Sequence, residues 1–350
     1  MVHPPLAKVL MSFSIRLLGD NPLGWRIPSL VFGSLALLAM YWLAKAAGAS
    51  RLVAVGAAGI MSLDNLFVVH GRIATLDIFV LVFMMAAAAL YLRGRWGWAG
   101  IILGLGAATK LVAFFLLPML LLYELMNRFI QPHRSAGGEI QRGEQPSYSP
   151  SFQGQVAVGA CAVVAAVSFL ATMTILDSAY TTFDSPLSHL SSMVGEQKQL
   201  KKGDHGYKPV AEGADLAATS TPWAWLANRK RFGYFSRSTG TPRIAFAAAV
   251  NPFVIWLAIP ALALSLLKAI KTQARPPIMA TAWFVGGFIP FVALDAAGRI
   301  GYLYYVLILL PAVYLSIAWL FSSAIPRKFR IVYALALFAG FAALYPFRIT

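Results

Sequence analysis

Charge is what this sequence has least of. Asp, Glu, Lys and Arg make up 12% of its 350 residues, against 59% apolar residues, which is too little polar surface for a soluble globule. A single cysteine, Cys161, excludes an intrachain disulfide and leaves the redox compartment unread. Acids are the scarcer sign, 13 against 29 Lys and Arg, for a net charge of +16. In a soluble protein that excess would point to nucleic acid. No basic amphipathic reading element is present, so nucleic acid is not expected as a partner. The cations read instead as loop charges that face anionic lipid headgroups and fix topology. There is no P-loop, GxSxG or HExxH motif. No spacing of His, Cys, Asp or Glu suits a metal, so neither a nucleotide domain nor a metal or other cofactor is expected.

What the chain does have is apolar runs near twenty residues, repeated along its length. Only helices and closed barrels satisfy their backbone in lipid, and these runs are continuous rather than alternating, so they predict an all-α polytopic membrane protein. Membrane helices are expected at about 27–44, 52–69, 77–92, 97–110, 112–127, 154–176, 250–268, 278–295, 303–321 and 331–347. Residues 1–26 lack a charged stretch followed by a clean apolar core, so they read as an interfacial segment rather than a signal peptide. An amphipathic helix over about 5–18 would carry Leu6, Val9, Leu10, Phe13 and Leu17 on one side.

Lys and Arg placement sets the orientation. The pairs Lys45/Arg51 and Arg93/Arg95, and the groups Arg128/Arg134/Arg142, Lys268/Lys271/Arg275 and Arg327/Lys328/Arg330, fall in five loops. All five are cytoplasmic if every pass alternates. That alternation requires the stretch from 96 to 127 to cross twice, breaking at Lys110. Each half is then about 22 Å long at 1.5 Å per residue, short for a bilayer core, and such a break survives where it lines a water-filled cavity. The competing reading is one tilted helix with a snorkelling lysine. The chain thus divides into an interfacial segment (1–26), an N-terminal transmembrane module of catalytic type (27–127), a polar cytoplasmic linker (128–153), one transmembrane helix (154–177), an external loop (178–249) and C-terminal transmembrane helices (250–350). Within the external loop, "STPWAWLANRKRFGYF" mixes aromatics and cations as an interfacial helix would.

Charged residues then gather at the external face: Lys8, Arg26, Asp64, Arg72, Asp77, Lys110 and Arg299. Charges in or beside membrane helices are costly and mark function by default. Each also has a plain reading. Arg26 can anchor to headgroups, Lys8 can snorkel, Asp64 can pair with Arg72, and Asp77, or Thr75 before it, can cap the next helix. Arg72 is also near enough in sequence to pair with Asp77. His3 and His70 fit structural histidines. Taken together, several cations and a carboxylate at an external boundary suit a lipid-linked phosphate substrate. Cations stabilise charge on a phosphate leaving group, and a carboxylate can take a proton from a hydroxyl.

Short motifs in consistent order extend this. They are "HPPLAK" (3–8), "NPLGWRIPSLVFG" (21–33), "LDNLFVVHGRIATLD" (63–77), "GLGAATKLVAF" (104–114), "STPWAWL" (220–226), "NPFVIW" (251–256) and "GRIGYLYYVLILLPA" (298–312). Together they resemble the bacterial protein O-mannosyltransferases, polyprenyl- or dolichyl-phosphate-mannose-dependent enzymes of the GT-C membrane class. Ala7 replaces a usual glycine, Gly71 a usual serine, and the Trp223 region lacks the family's histidine. The resemblance implies a GT-C-like bundle of about ten transmembrane helices with interfacial amphipathic helices. It implies inverting transfer of mannose from a polyprenyl phosphate to Ser/Thr hydroxyls of an acceptor protein. The active face would be extracytoplasmic, in the cell membrane among its lipids, and the family is described as metal-free. Asp77, the one catalytic-site residue carried over, would be the second acidic residue of the site, positioning acceptor or sugar, with the family's presumed base in an earlier Asp-Glu loop. Arg26, Lys8 and Lys110 would face the donor phosphate, with Arg299 and Tyr305 near the lipid. His3, Asp64, Arg72 and Trp223 would support the site. The family carries an earlier helix and an Asp-Glu loop that this sequence does not show, so a truncated chain is expected, with Asp20 and Asp77 as the nearby substitutes for the base. A GT-C transferase of another sugar to lipid or glycan, a secondary transporter and a non-catalytic membrane subunit remain as alternatives.

Overall fold

The computed structural model describes residues 3–130, 152–181, 183–198, 219–229, 233–237, 244–247, 249–345 and 348–349. Most of the expected linker at 128–153 and part of the external loop therefore lie outside the described residues. The chain opens with α1 (Leu6–Leu18) and α2 (Pro22–Ala46). A pass built of α3 (Arg51–Ser62) and α4 (Asn65–His70) follows, then α5 (Leu76–Leu92) and α6 (Trp96–Ala107). A 3-10 turn, Leu111–Phe115, runs directly into α7 (Leu116–Ile130). Next come α8 (Phe152–Tyr180), α9 (Pro186–Lys198), the single turn α10 (Pro222–Trp225) and the strands β1 (Gly233–Arg237) and β2 (Ile244–Ala247). The C-terminal part holds α11 (Pro252–Thr272), α12 (Arg275–Ala296), a 3-10 turn Leu303–Ile308 leading into α13 (Leu310–Ala324), α14 (Arg327–Ala343) and β3 (Arg348–Ile349).

Each expected membrane helix is present, and the chain is a multi-pass membrane protein. Among the described residues, five helices are individually long and apolar enough to cross a bilayer: α2, the 3-10 turn with α7, α8, α11 and α12. The stretch from 96 to 127 does break at Lys110, whose backbone is extended (φ −159°, ψ 128°) between α6 and the 3-10 turn. On α1, Phe13 and Leu17 remain exposed while Leu6 and Leu10 pack on the bundle. That is the pattern of a helix lying along a lipid surface.

Two polar poles define the ends of the bundle. At one, Tyr91 donates to Glu124 and to the Gly154 carbonyl, Arg275 donates to Tyr123, and Gln273 donates to the Ile130 carbonyl. This end collects the loops rich in Lys and Arg. At the other, the Leu6 N–H donates to the Ala108 carbonyl, and Thr219 bridges to Tyr302. Between the poles the core is apolar and tightly packed. Gly100 and Gly104 let α6 approach α8: a Cβ at Gly104 would lie 2.6 Å from the Ala165 carbonyl oxygen, and one at Gly100 would lie 2.7 Å from that of Cys161. Small residues one turn apart permit such close backbone contact in membranes.

The expected helix over the Trp223 region is shorter than the residue mixture implied. Thr221 caps α10, which ends after Trp225; Asn228 then turns the chain with a positive φ of 54°. The Asn228 side chain bonds both the N–H and the carbonyl of Val250. Beyond it the chain forms an antiparallel hairpin, β1–β2, to which β3 adds a third strand. This small sheet sits on an otherwise helical protein. Residues 230–232 of that stretch lie outside the described residues.

Asp64 does not pair with Arg72 in the bonds described. It is fully buried and caps α4, accepting the Phe67 N–H at 3.1 Å with one oxygen and the Asn251 N–H at 3.1 Å with the other. Asn251 itself donates to the carbonyls of Leu63 and Leu337. The bond described for Arg72 goes to the Tyr345 hydroxyl. Asp64 thus supports the 64–77 segment by joining the two halves of the protein, not by orienting a loop arginine. Asp64→Ala strands two buried N–H groups at a cost of about 1–3 kcal/mol each. It should lower the unfolding temperature in detergent, whereas Asp20→Ala should leave it unchanged. Gly104→Leu should separate α6 from α8, seen as lost thermal stability far exceeding that of Gly97→Leu, where a Cβ meets open space.

Candidate active site

Two cavities meet at one ion pair. Asp77 lies in the first turn of α5, and Lys110 stands at the break between α6 and α7. The Lys110 Nζ donates to Asp77 Oδ1 at 2.6 Å, with both residues buried. The ammonium also faces two aromatic rings on the 3-10 turn before α13, 5.0 Å from the centroid of Tyr305 and 5.7 Å from that of Tyr304. Such cation–π contacts strengthen where water is excluded.

On one side of the pair is a cavity with mostly apolar walls. Val112, Phe115, Phe291, Leu294, Trp225 and Ile308 line it, with His3, Asp77, Lys110, Asp295 and Arg299 as its ionisable lining. On the other side a polar cavity is lined by His3, His70, Thr75, Asp77, Lys110, Tyr234 and Tyr304. His3, Asp77 and Lys110 line both. Lys8 donates to the His3 carbonyl at 3.0 Å and so fixes the N-terminal segment over the junction. Burial and the neighbouring Lys110 charge push the His3 imidazole down to about 4, so it is neutral at pH 7. Burial also lowers the Lys8 ammonium, opposed by the nearby Glu196 carboxylate.

The loop carrying Asp77 is held by a chain of hydrogen bonds. His70 is fully buried and uses both nitrogens, Nε2 on the Tyr234 hydroxyl and Nδ1 on Thr75 Oγ1 at 3.0 Å. Asp77 Oδ2 lies 4.0 Å from the same Nδ1. Thr75 stands at the N-cap of α5 but spends its hydroxyl on His70 rather than on the helix. Burial, followed by the Asp77 charge, pushes the Tyr234 hydroxyl well above its ordinary value. His70 is therefore the satisfied structural histidine that the sequence allowed, and it also forms a wall of the site.

The structure thus brings together Asp77, Lys110, Arg299, Tyr305 and His3, with Lys8 one contact behind. It does not bring Arg26 to either cavity. Arg26 is exposed on the first turns of α2, where a headgroup anchor would sit. Asp20 is likewise exposed and accepts from Trp25 Nε1. Trp223 is largely exposed, packed edge-on against Phe288; the tryptophan at the cavity is Trp225, held by its indole N–H on Ser220 Oγ at 3.0 Å. The sequence reading also passed over Asp295, Tyr304 and Tyr234. Asp295 could have been found by the rule that found Arg299, as a charge closing an apolar run. The two tyrosines carry no such signal.

Comparison with known proteins supplies what geometry cannot. Residues 19–139 match the family model described as dolichyl-phosphate-mannose-protein mannosyltransferase. A polyprenol-phosphate-mannose–protein mannosyltransferase of Corynebacterium glutamicum is 25% identical over 89% of this chain and 68% of its own length. One from Mycolicibacterium smegmatis is 24% identical over 91% of this chain and 70% of its own. The Saccharomyces cerevisiae protein O-mannosyltransferase Pmt1–Pmt2 complex, solved bound to the sugar donor, aligns with 99% of this chain and 83% of the matched chain, with a TM-score of 0.72 at 12% identity. ArnT of Cupriavidus metallidurans, solved bound to undecaprenyl phosphate, covers 97% of this chain and 60% of its own, with a TM-score of 0.51 at 17% identity. At these identities the structural likeness establishes the fold. The matched segment and the related sequences make this chain similar to the dolichyl-phosphate-mannose–protein mannosyltransferases, and the shared membrane architecture gives it a GT-C-like fold.

Proposed function

We propose that this chain transfers mannose from a polyprenyl-phosphate-mannose donor to Ser or Thr hydroxyls of an acceptor protein, with inversion, at the extracytoplasmic face of the cell membrane. The observation that carries this is the buried Asp77–Lys110 pair standing between a polar cavity and a mostly apolar cavity whose lining includes the cations Lys110 and Arg299. The related proteins' names supply the sugar and the acceptor class.

On this reading the prenyl chain lies along Phe115, Phe291 and Leu294, with its phosphate at Arg299 and Lys110 beside Tyr305. The acceptor hydroxyl enters the polar cavity, and its oxygen attacks the anomeric carbon as the bond from that carbon to the phosphate oxygen breaks. Asp77 takes the hydroxyl proton, while the charge left on the polyprenyl phosphate falls to the two cations. A preorganised cation in a dry site stabilises such charge far better than water does. His3, held by Lys8, closes the junction as a neutral wall and adds no competing charge. Arg72 and Asp64 hold the segment that presents Asp77. Arg26, exposed on α2, steers the chain against headgroups rather than gripping the donor. The reaction is read as needing no cofactor beyond the lipid-linked donor.

The test is mannose transfer from a short-chain polyprenyl-phosphate-mannose to a Thr-rich peptide by the reconstituted chain. Asp77→Asn should lower kcat by about a hundredfold or more, the usual contribution of a positioned base. Arg299→Ala should chiefly raise the donor KM, and Arg26→Ala should do little. Unchanged transfer in Asp77→Asn would remove the assignment.

A further inference from the structure

The 2.6 Å contact between Lys110 and Asp77 occupies both groups that the proposed reaction needs. The carboxylate cannot receive a proton freely while an ammonium sits on it. The ammonium, in turn, spends its charge on the carboxylate rather than on a phosphate in the apolar cavity. The geometry points to Asp77 as an internal competitor for Lys110: a lipid phosphate entering the apolar cavity draws the ammonium off the carboxylate, and so uncovers Asp77 toward the polar cavity. This rests on the lipid-phosphate reading above and adds an order of events to it. Donor binds first, and binding the donor switches on the base.

Three observations support the exchange. First, Lys110 and Asp77 each line both cavities, so the ammonium can turn from one to the other without the chain moving. Second, the two partners are mounted differently. Asp77 is part of a helix turn braced through Thr75, His70 and Tyr234, with His70 Nδ1 4.0 Å from Asp77 Oδ2. Lys110 stands in extended backbone between two helices, on a flexible four-carbon stem. When the pair separates, the lysine is the part that moves. Third, the faces of Tyr304 and Tyr305 flank the ammonium at 5.7 and 5.0 Å. They give it a favourable surface along the way, so leaving the carboxylate does not strand a bare charge. A phosphate that shared Lys110 with an intact pair would be pressed against a second anion in a low-dielectric site, which disfavours joint occupancy.

The consequence runs opposite to the ordinary effect of damaging an active site. Measured by calorimetry in detergent with a C15 prenyl monophosphate, Asp77→Asn should bind about fivefold or more tightly than wild type, the scale of a typical coupling between sites. Lys110→Gln should bind much more weakly, and the double variant should be no tighter than Lys110→Gln alone. Equal or weaker binding by Asp77→Asn overturns the exchange while leaving the lipid-phosphate site standing. A wild-type chain that binds no prenyl phosphate overturns both. A second measurement uses the unaltered protein and guards against a misfolded variant. Labelling of Asp77 by an apolar carbodiimide, followed by mass spectrometry, should rise when prenyl phosphate saturates the chain. Labelling that stays level or falls overturns the exchange.

Discussion

A charge at membrane depth must have a partner, and the Asp77–Lys110 pair is where this chain meets that demand. Neither group could stay ionised alone in the bundle; a lone buried ion costs several kcal/mol even after its surroundings relax. The surrounding architecture follows from holding the two together. Lys110 reaches the site because α6 stops and the backbone extends for one residue before the next turn. Asp77 reaches it because α5 begins there, at the end of a helix dipole that favours a carboxylate. The tyrosines of the 3-10 turn before α13 fill the remaining space around the ammonium with polarisable faces instead of water. Remove the need to pair these charges, and neither the short α6 nor the irregular turns around it has a physical reason to exist.

The rest of the chain keeps that irregular backbone tolerable. Non-helical segments survive in a membrane protein only where protein or a cavity supplies their hydrogen bonds. Here the breaks occur at the same end of the molecule: between α3 and α4, before α5, at Lys110, and ahead of α13. Asp64 and Asn251 close the first, across 187 residues of sequence. His70 and Thr75 close the second, with help from Tyr234 on the β1–β2 hairpin. Ser220 and Gly301 exchange a backbone bond that holds the approach to the fourth. The opposite end carries the basic loops and the Tyr91–Glu124 contact, which ties α5 to α7 where both run as regular helices.

How much of this could be read from the sequence depends on which physical signal carried it. Long apolar runs and the placement of Lys and Arg located the ten helical segments and even the break at Lys110, because burial in lipid and loop charge are local properties of the chain. What those signals do not carry is rotation. Helices that are apolar almost all round have no face written into their pattern, so Arg26 could be placed at the right end of α2 but not on the right side of it. The same applies to Trp223 and Trp225. Two residues apart on a single turn of helix, they point in different directions, and only the Ser220 bond decides which one enters the cavity. Long-range partners are a further blind spot. Asp64 looked like the neighbour of Arg72 because sequence distance was the only distance available; Asn251 was invisible to it.

The β1–β2 hairpin has a place in the same scheme. Tyr234 sits on β1, and its hydroxyl meets His70, which braces the loop before Asp77. The backbone of β2 pairs with both β1 and β3, and β3 follows the last helix of the bundle. The sheet therefore connects the chain's C-terminal end to the polar cavity through one phenol and one imidazole. A hairpin standing alone is marginal in water; a third strand and a half-buried tyrosine make this one part of the cavity wall. The carboxylate is thus fixed by the sheet acting through Tyr234 and His70, while the lysine opposite it hangs from a single extended residue. That difference in mounting is what allows one ion pair both to hold the resting site closed and to yield to a competing anion.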